Sequence, residues 1–185
     1  MRKLAVLLAV TVATASAFAQ GTVTFANNSA YATVADRLVK DVGGASLTGT
    51  TFFAQLFFGA QGTAEGSLTA VTPTAAFRAS TTASPGTLVG GSRTLTGITS
   101  GQTATLQVRV WDSAAFASYD AAVAGGGKIG SSALFDYTVP AAGSPPAAFF
   151  MEGLRTFTLT QVPEPTTLAL GAMGLAGLLA IRRRK

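Results

Sequence analysis

Catalysis needs side chains that attack, shuttle protons or hold metals, and this chain offers few of them. It contains no histidine and no cysteine. Their lack removes the commonest general base and metal ligand, together with thiolate nucleophiles, disulfides and cysteine-ligated metals. Serines and threonines are numerous, but without histidine only a lysine could activate one, and Lys40 and Lys128 stand in no recognisable motif. Gly125-Gly126-Gly127-Lys128 lacks the first glycine and the Ser or Thr of a phosphate-binding loop and reads as a plain flexible turn. Asp112, Asp120 and Asp136 could gather around Ca²⁺, but solvation at the surface accounts for them more simply. No catalytic residue, cofactor site or metal site is expected, so the chain reads as a non-enzyme.

Two aromatic residues invite a binding role instead. Trp111 and Tyr119 lie near acids, and a flat ring beside a carboxylate is a stacking platform for a sugar. They are the candidate glycan contacts. The alternative is that Trp111 packs with Phe116 under a following helix.

The most specific pattern is C-terminal. Pro163-Glu164-Pro165 is followed by Thr166 and Thr167, by LALGAMGLAGLLAI, and by Arg182, Arg183, Arg184 and Lys185. Each proline biases the residue before it towards extended backbone, so the triplet is a stiff peptide presenting one carboxylate. The uncharged run of 16 residues, 166–181, would make roughly 24 Å of helix against a hydrocarbon core of roughly 30 Å. That is a marginal transmembrane helix, helped by terminal cations that snorkel to the headgroups, stop transfer and stay cytoplasmic. At the other end, Arg2 and Lys3, the apolar run Leu4 to Ala15 and the small-residue site Ala17-Phe18-Ala19 have the layout of a signal peptide over 1–19, leaving Gln20 as the mature N-terminus.

The segment VPEPTTLALGAMGLAGLLAIRRRK resembles a PEP-CTERM sorting signal, with its three parts present in order. The resemblance covers 162–185. It implies a Gram-negative bacterium that makes exopolysaccharide, and processing by exosortase, an integral-membrane cysteine transpeptidase, at or near the Pro-Glu-Pro element. By that resemblance Pro163, Glu164 and Pro165 are the recognition element, and Arg182, Arg183, Arg184 and Lys185 hold the substrate until it is cut. The partners so implied are signal peptidase, exosortase, the membrane as a transient anchor, and exopolysaccharide. The protein is expected to be exported through the inner membrane, briefly anchored, then displayed at the cell surface or outside it. Its expected role is that of a structural or interaction protein associated with exopolysaccharide or biofilm, the alternative being a carbohydrate-binding module.

Between these segments, residues 20–161 form one domain. The basic total is misleading, because between the two targeting segments seven cations face seven acids. Nucleic acid is not an expected partner. Short β-prone runs punctuated by turn residues predict an all-β fold, a single sandwich of jelly-roll or Ig-like type with about seven to ten short strands and one short helix. Strands are expected at 21–27, 50–58, 103–112, 132–139 and 154–161, with two short pieces broken at Pro73 and further short segments split by Gly90-Gly91 and Gly97. Residues 34–41 read as a helical turn or an exposed loop. On 103–112, Ala104, Leu106, Val108 and Val110 share one face and Thr105, Gln107, Arg109 and Trp111 the other. The Ala-rich run after Trp111 reads as a short surface helix capped by Ser113 and stopped by the three glycines.

Overall fold

A computed structural model of the chain describes residues 20–27, 36–79 and 85–163, and the isolated positions 170, 171, 173, 174 and 182. The signal-peptide residues Ala17 and Ala19 and most of the expected transmembrane helix lie outside these residues. Among the described residues the chain is mostly β, with ten strands and one short helix.

The strands are β1 (Gln20–Ala26), β2 (Val39–Lys40), β3 (Phe52–Ala60), β4 (Thr69–Ala76), β5 (Val89–Thr99), β6 (Thr103–Asp112), β7 (Lys128–Ser131), β8 (Phe135–Thr138), β9 (Phe157–Thr158) and β10 (Thr160–Gln161). The helix, α1, is Tyr119–Ala124. A six-stranded sheet runs in the order β10-β7-β6-β3-β4, with β8 also pairing to β6. Two small sheets, β1-β5 and β2-β9, complete the inventory. At the centre β3 and β6 pair antiparallel without a register shift, from Phe52 opposite Asp112 to Ala60 opposite Ala104.

The period-two pattern explains the core. Phe52, Ala54, Leu56 and Phe58 of β3 are buried with Ala104, Leu106, Val108 and Val110 of β6, and they meet Val23, Phe25, Val39, Leu95 and Leu159 from the small sheets in one cluster. Polar side chains then tie backbone to backbone inside this assembly. Asn27 is 2% exposed. Its amide nitrogen donates to the carbonyls of Arg37 (2.8 Å) and Gly86 (3.1 Å), and its oxygen accepts from the Leu88 N–H at 2.6 Å. The Tyr137 hydroxyl donates to the Thr22 carbonyl at 2.7 Å, joining β8 of the large sheet to β1.

Several expected boundaries shift, each for a local reason. β4 continues as one strand through Pro73, but its pairing with β3 lapses there, Ala75 facing Ala54 and Val71 facing Leu56. The expected break thus survives as an irregularity of an edge strand, in which the missing N–H leaves no ladder bond unmade. β5 is one strand of 11 residues rather than short pieces. The glycine interruptions become irregularities in its pairing with β1, and Gly97, at φ 83°, sits in one of them. Of the charged segment, Asp36 is in a 3₁₀ turn, as one of the two readings had it, while Val39 and Lys40 form strand β2 instead. The expected strand 132–139 shortens to β8, with β7 a separate strand just before it, and 154–161 becomes β9 and β10, which join different sheets on either side of buried Leu159. Ser118, not Ser113, caps α1, accepting from the Ala121 N–H at 3.2 Å. The Ser113 hydroxyl instead donates to the carbonyls of Thr50 and Thr51.

Two outcomes follow. Asn27→Ala would strand two carbonyls and one N–H in a dry interior, and urea unfolding should report a loss of about 2–4 kcal/mol. Burial pushes the Tyr137 hydroxyl up to about 12, above an unfolded value of about 10. Its folded-state pKa being the higher, this contribution is complete below about pH 10 and is lost as pH rises towards 12. Alkaline titration followed by near-ultraviolet circular dichroism should therefore show a stability decline in that window which Tyr137→Phe lacks.

Candidate functional site

Functional geometry gathers where the chain leaves the large sheet. In β10, Thr160 pairs with Ile129 and Gln161 with Lys128. The Val162 N–H then donates to the Gly127 carbonyl at 3.0 Å, and the Gln161 side chain donates to the Gly126 carbonyl. Pro163 follows at once and is exposed. One residue therefore separates the last ladder pair from the first proline of the Pro-Glu-Pro element.

The three glycines that receive this exit are packed, not merely a flexible turn. A Cβ on Gly127 would lie 2.5 Å from the Phe116 ring, and one on Gly125 2.3 Å from it. Only residues without a side chain let the loop pass so close beneath Phe116. Gly126 adopts φ 74°, and Gly125 closes α1 by donating its N–H to the Ala121 carbonyl. Beside the exit, the Lys128 ammonium lies 3.0 Å from an Asp41 carboxylate oxygen and 5.9 Å from the Phe52 ring centroid.

The neighbouring outer face of β6 carries one candidate glycan contact, Trp111, and α1 packed against that strand carries the other, Tyr119. Trp111 is 2% exposed. Its indole N–H donates to the Phe116 carbonyl at 3.0 Å, and its ring meets Phe53 edge to face at 6.5 Å. It thus takes the packed arrangement, with no ring face open for stacking. Tyr119 is half-buried. Burial raises its hydroxyl above the ordinary tyrosine value, against the opposing effects of the Arg109 cation and a hydrogen bond with Ser131. The Arg109 guanidinium lies 4.1 Å from the Phe57 centroid and 5.4 Å from that of Tyr119. Its Nε donates to Gln107 Oε1 at 2.8 Å and an Nη to the Glu65 carbonyl at 2.8 Å. Gln107, itself buried, donates to a Glu65 carboxylate oxygen at 2.8 Å and to the Ser132 carbonyl at 3.1 Å. The face split expected for β6 is present, but its polar side is roofed by the 3₁₀ turn Glu65–Ser67 and by α1 rather than bathed in solvent. The strand alternation marked which residues share that face. The packing of Trp111 with Phe116 beside α1 was one of the two arrangements the sequence offered, but nothing in it marked the Glu65 part of the roof, which comes from over forty positions away.

A cleft of about 640 Å³ opens elsewhere, beside β8 and the 3₁₀ turn Pro146–Phe149, with Asp136 and Glu152 among its lining. Asp136 accepts from Gln61 (3.1 Å) and Thr105 (3.2 Å), and Asp112 accepts from the Ala114 N–H at 3.1 Å. Among the described residues no three acids come together to hold a metal.

Of the remaining expected residues, Gln20 is exposed at the start of β1, and Arg182, Leu170, Gly171, Met173 and Gly174 are exposed and helical. Glu164, Pro165, Arg183, Arg184 and Lys185 lie outside the described residues. No helix among the described residues is long and apolar enough to cross a membrane.

A Pro-Glu-Pro element that begins one residue beyond the edge of a β-sheet, with an apolar run and a basic cluster following it in sequence, is the layout of a C-terminal sorting signal. The protein-family model of the PEP-CTERM protein-sorting motif matches residues 161–185, and the chain carries that motif. The motif implies an exported, exosortase-targeted protein held transiently by its C-terminus. No curated protein and no solved structure matches the chain. The match begins at Gln161, so the motif's first residue is still a rung of the sheet.

Substituting Gly127 by valine should drive a side chain into Phe116 and loosen the exit. Hydrogen exchange at the Val162 amide should then accelerate more than at Val108, which lies on the central β3–β6 pair.

Proposed function

We propose that this is a secreted cell-surface or extracellular-matrix protein, released from its anchor by exosortase and acting through binding or assembly rather than catalysis, in association with exopolysaccharide or biofilm. The observation that carries the reading is the sorting motif at 161–185, joined to a folded β-domain with one residue to spare. The path runs through signal peptidase at Ala17-Phe18-Ala19, a brief stay in the membrane, and cutting at or near Pro163-Glu164-Pro165. The object delivered is a β-sandwich, a reading supported by the shared core between the six-stranded sheet and the two small sheets. Its strand order, with β8 branching from β6, argues against the Ig-like arrangement among the two considered.

The non-enzymatic assignment rests on how the acids are engaged. Asp41 is paired with Lys128, Glu65 with Gln107, and Asp136 with Gln61 and Thr105. Each of these three carboxylates is taken up by a contact within the fold, which supports a structural role for them.

Intact mass of the protein recovered from cells with and without exosortase tests the path. Cells with the enzyme should yield a chain beginning at Gln20 and ending close to Pro163, whereas cells without it should keep the tail. Pro163→Ala with Pro165→Ala should leave the tail on in both. A deletion of 163–185 that left the protein's location unchanged would sink the sorting assignment.

A further inference from the structure

β4 and β5 lie at the free edges of their sheets. They meet at the antiparallel bridge between Phe77 and Leu88 and then part, and Arg93 spans the widening gap by donating Nε to the Pro73 carbonyl at 3.0 Å. Beyond that contact a groove of about 360 Å³ opens between the two strands, within the size range of about 300–1,000 Å³ typical of ligand sites. Thr69 and Thr72 line it from β4, Thr94 and Thr96 from β5, and Phe58 from β3.

Arg93 is 6% exposed and has no carboxylate partner, since the ion pairs among the described residues lie at Arg37 and Lys128. Its acceptors are neutral: the carbonyls of Pro73, Gly90 and Ser92. The Phe25 ring lies 5.5 Å from the guanidinium. Burial lowers its pKa, the mark of a cation not compensated by a nearby charge. These contacts hold the fork still while leaving Nη2 with no acceptor among the described residues, and that nitrogen is not one of the sealed, unpaired ones found there, Nε of Arg37 and of Arg78. A pre-ordered donor of positive charge therefore opens onto a groove whose lining has hydroxyls and no acid.

We propose that the groove between β4 and β5 binds an acidic sugar unit, its carboxylate accepting from Arg93 and its hydroxyls exchanging hydrogen bonds with the threonines. One guanidinium matches the single charge of a carboxylate, whereas a phosphate would call for further cations. The neutral hydroxyl lining suits a polyhydroxy body and gives an apolar ligand little to bury against. The inference stands on the groove and is independent of the route of export.

Calorimetric titration of the mature chain with a galacturonic acid trimer, a neutral galactose trimer and acetate tests it. The acidic trimer should bind, the neutral one should not, and acetate should bind at least about tenfold more weakly than the acidic trimer. Arg93→Gln should abolish binding. Because that change also removes an internal tie, Thr96→Asp serves as the second variant: it sets a like charge in the groove at an exposed position and should weaken the acidic trimer about tenfold with the fold intact. Equal binding of both trimers, silence from both, acetate as tight as the acidic trimer, or indifference to Thr96→Asp overturns the proposal. None of these results bears on the tail's processing.

Discussion

Asn27 has the strongest claim to be the contact on which the rest of this fold depends. Its three hydrogen bonds all go to backbone groups, reaching Arg37 before β2 and Gly86 and Leu88 before β5. A chain without disulfides, and with few ion pairs among its described residues, must hold its layers together by other means. Here long side chains grip the main chain of the opposite layer: Asn27 at the end of β1, Tyr137 on Thr22, and Arg93 on Pro73. Each such bond adds little over solvation, but each sits where an orphaned carbonyl would be expensive. The apolar cluster supplies the driving force. These ties select one way of stacking the sheets.

Much of the secondary structure could be read from the residues, because strand alternation is a local signal. The nine-residue β3–β6 ladder follows from TTFFAQLFF and TATLQVRVWD, whose apolar and polar positions alternate or whose bulky residues favour extended backbone. What escaped is what depends on partners. Pro73 interrupts the pairing of β4 with β3 without ending the strand, as only an edge allows, and edge status is a property of the assembled sheet. The change of sheet at Leu159 is likewise invisible until β2 and β7 are in place to receive its two flanks. Ser113 and Ser118 carry the same hydroxyl, and the choice between them as cap was made by Thr50 and Thr51 across the turn.

The candidate sites divide along the same line. Pro163-Glu164-Pro165 with its basic chain end is legible because its order is its meaning, and the family model agrees over 161–185. Trp111 could be placed on a face with Gln107 and Arg109, either open to a sugar or packed with Phe116. Whether that face met water was decided by Glu65 and by Phe116, and both close over it. Arg93 drew no notice at all, because an arginine between two hydroxyl residues looks like a solvated surface position until its strand turns it inward over Phe25.

Val162 bonds to Gly127, and Gln161 belongs at once to the ladder and to the motif. In the folded domain a single residue, Val162, therefore stands between the last rung of the large sheet and the first proline of the motif, and whatever engages the motif must come up to the rim of that sheet. An unfinished copy would have slack, gaining about 3.3 Å of reach for every residue not yet in a strand. The distance from which the motif can be offered to a partner is thus a gauge of how completely the domain has closed.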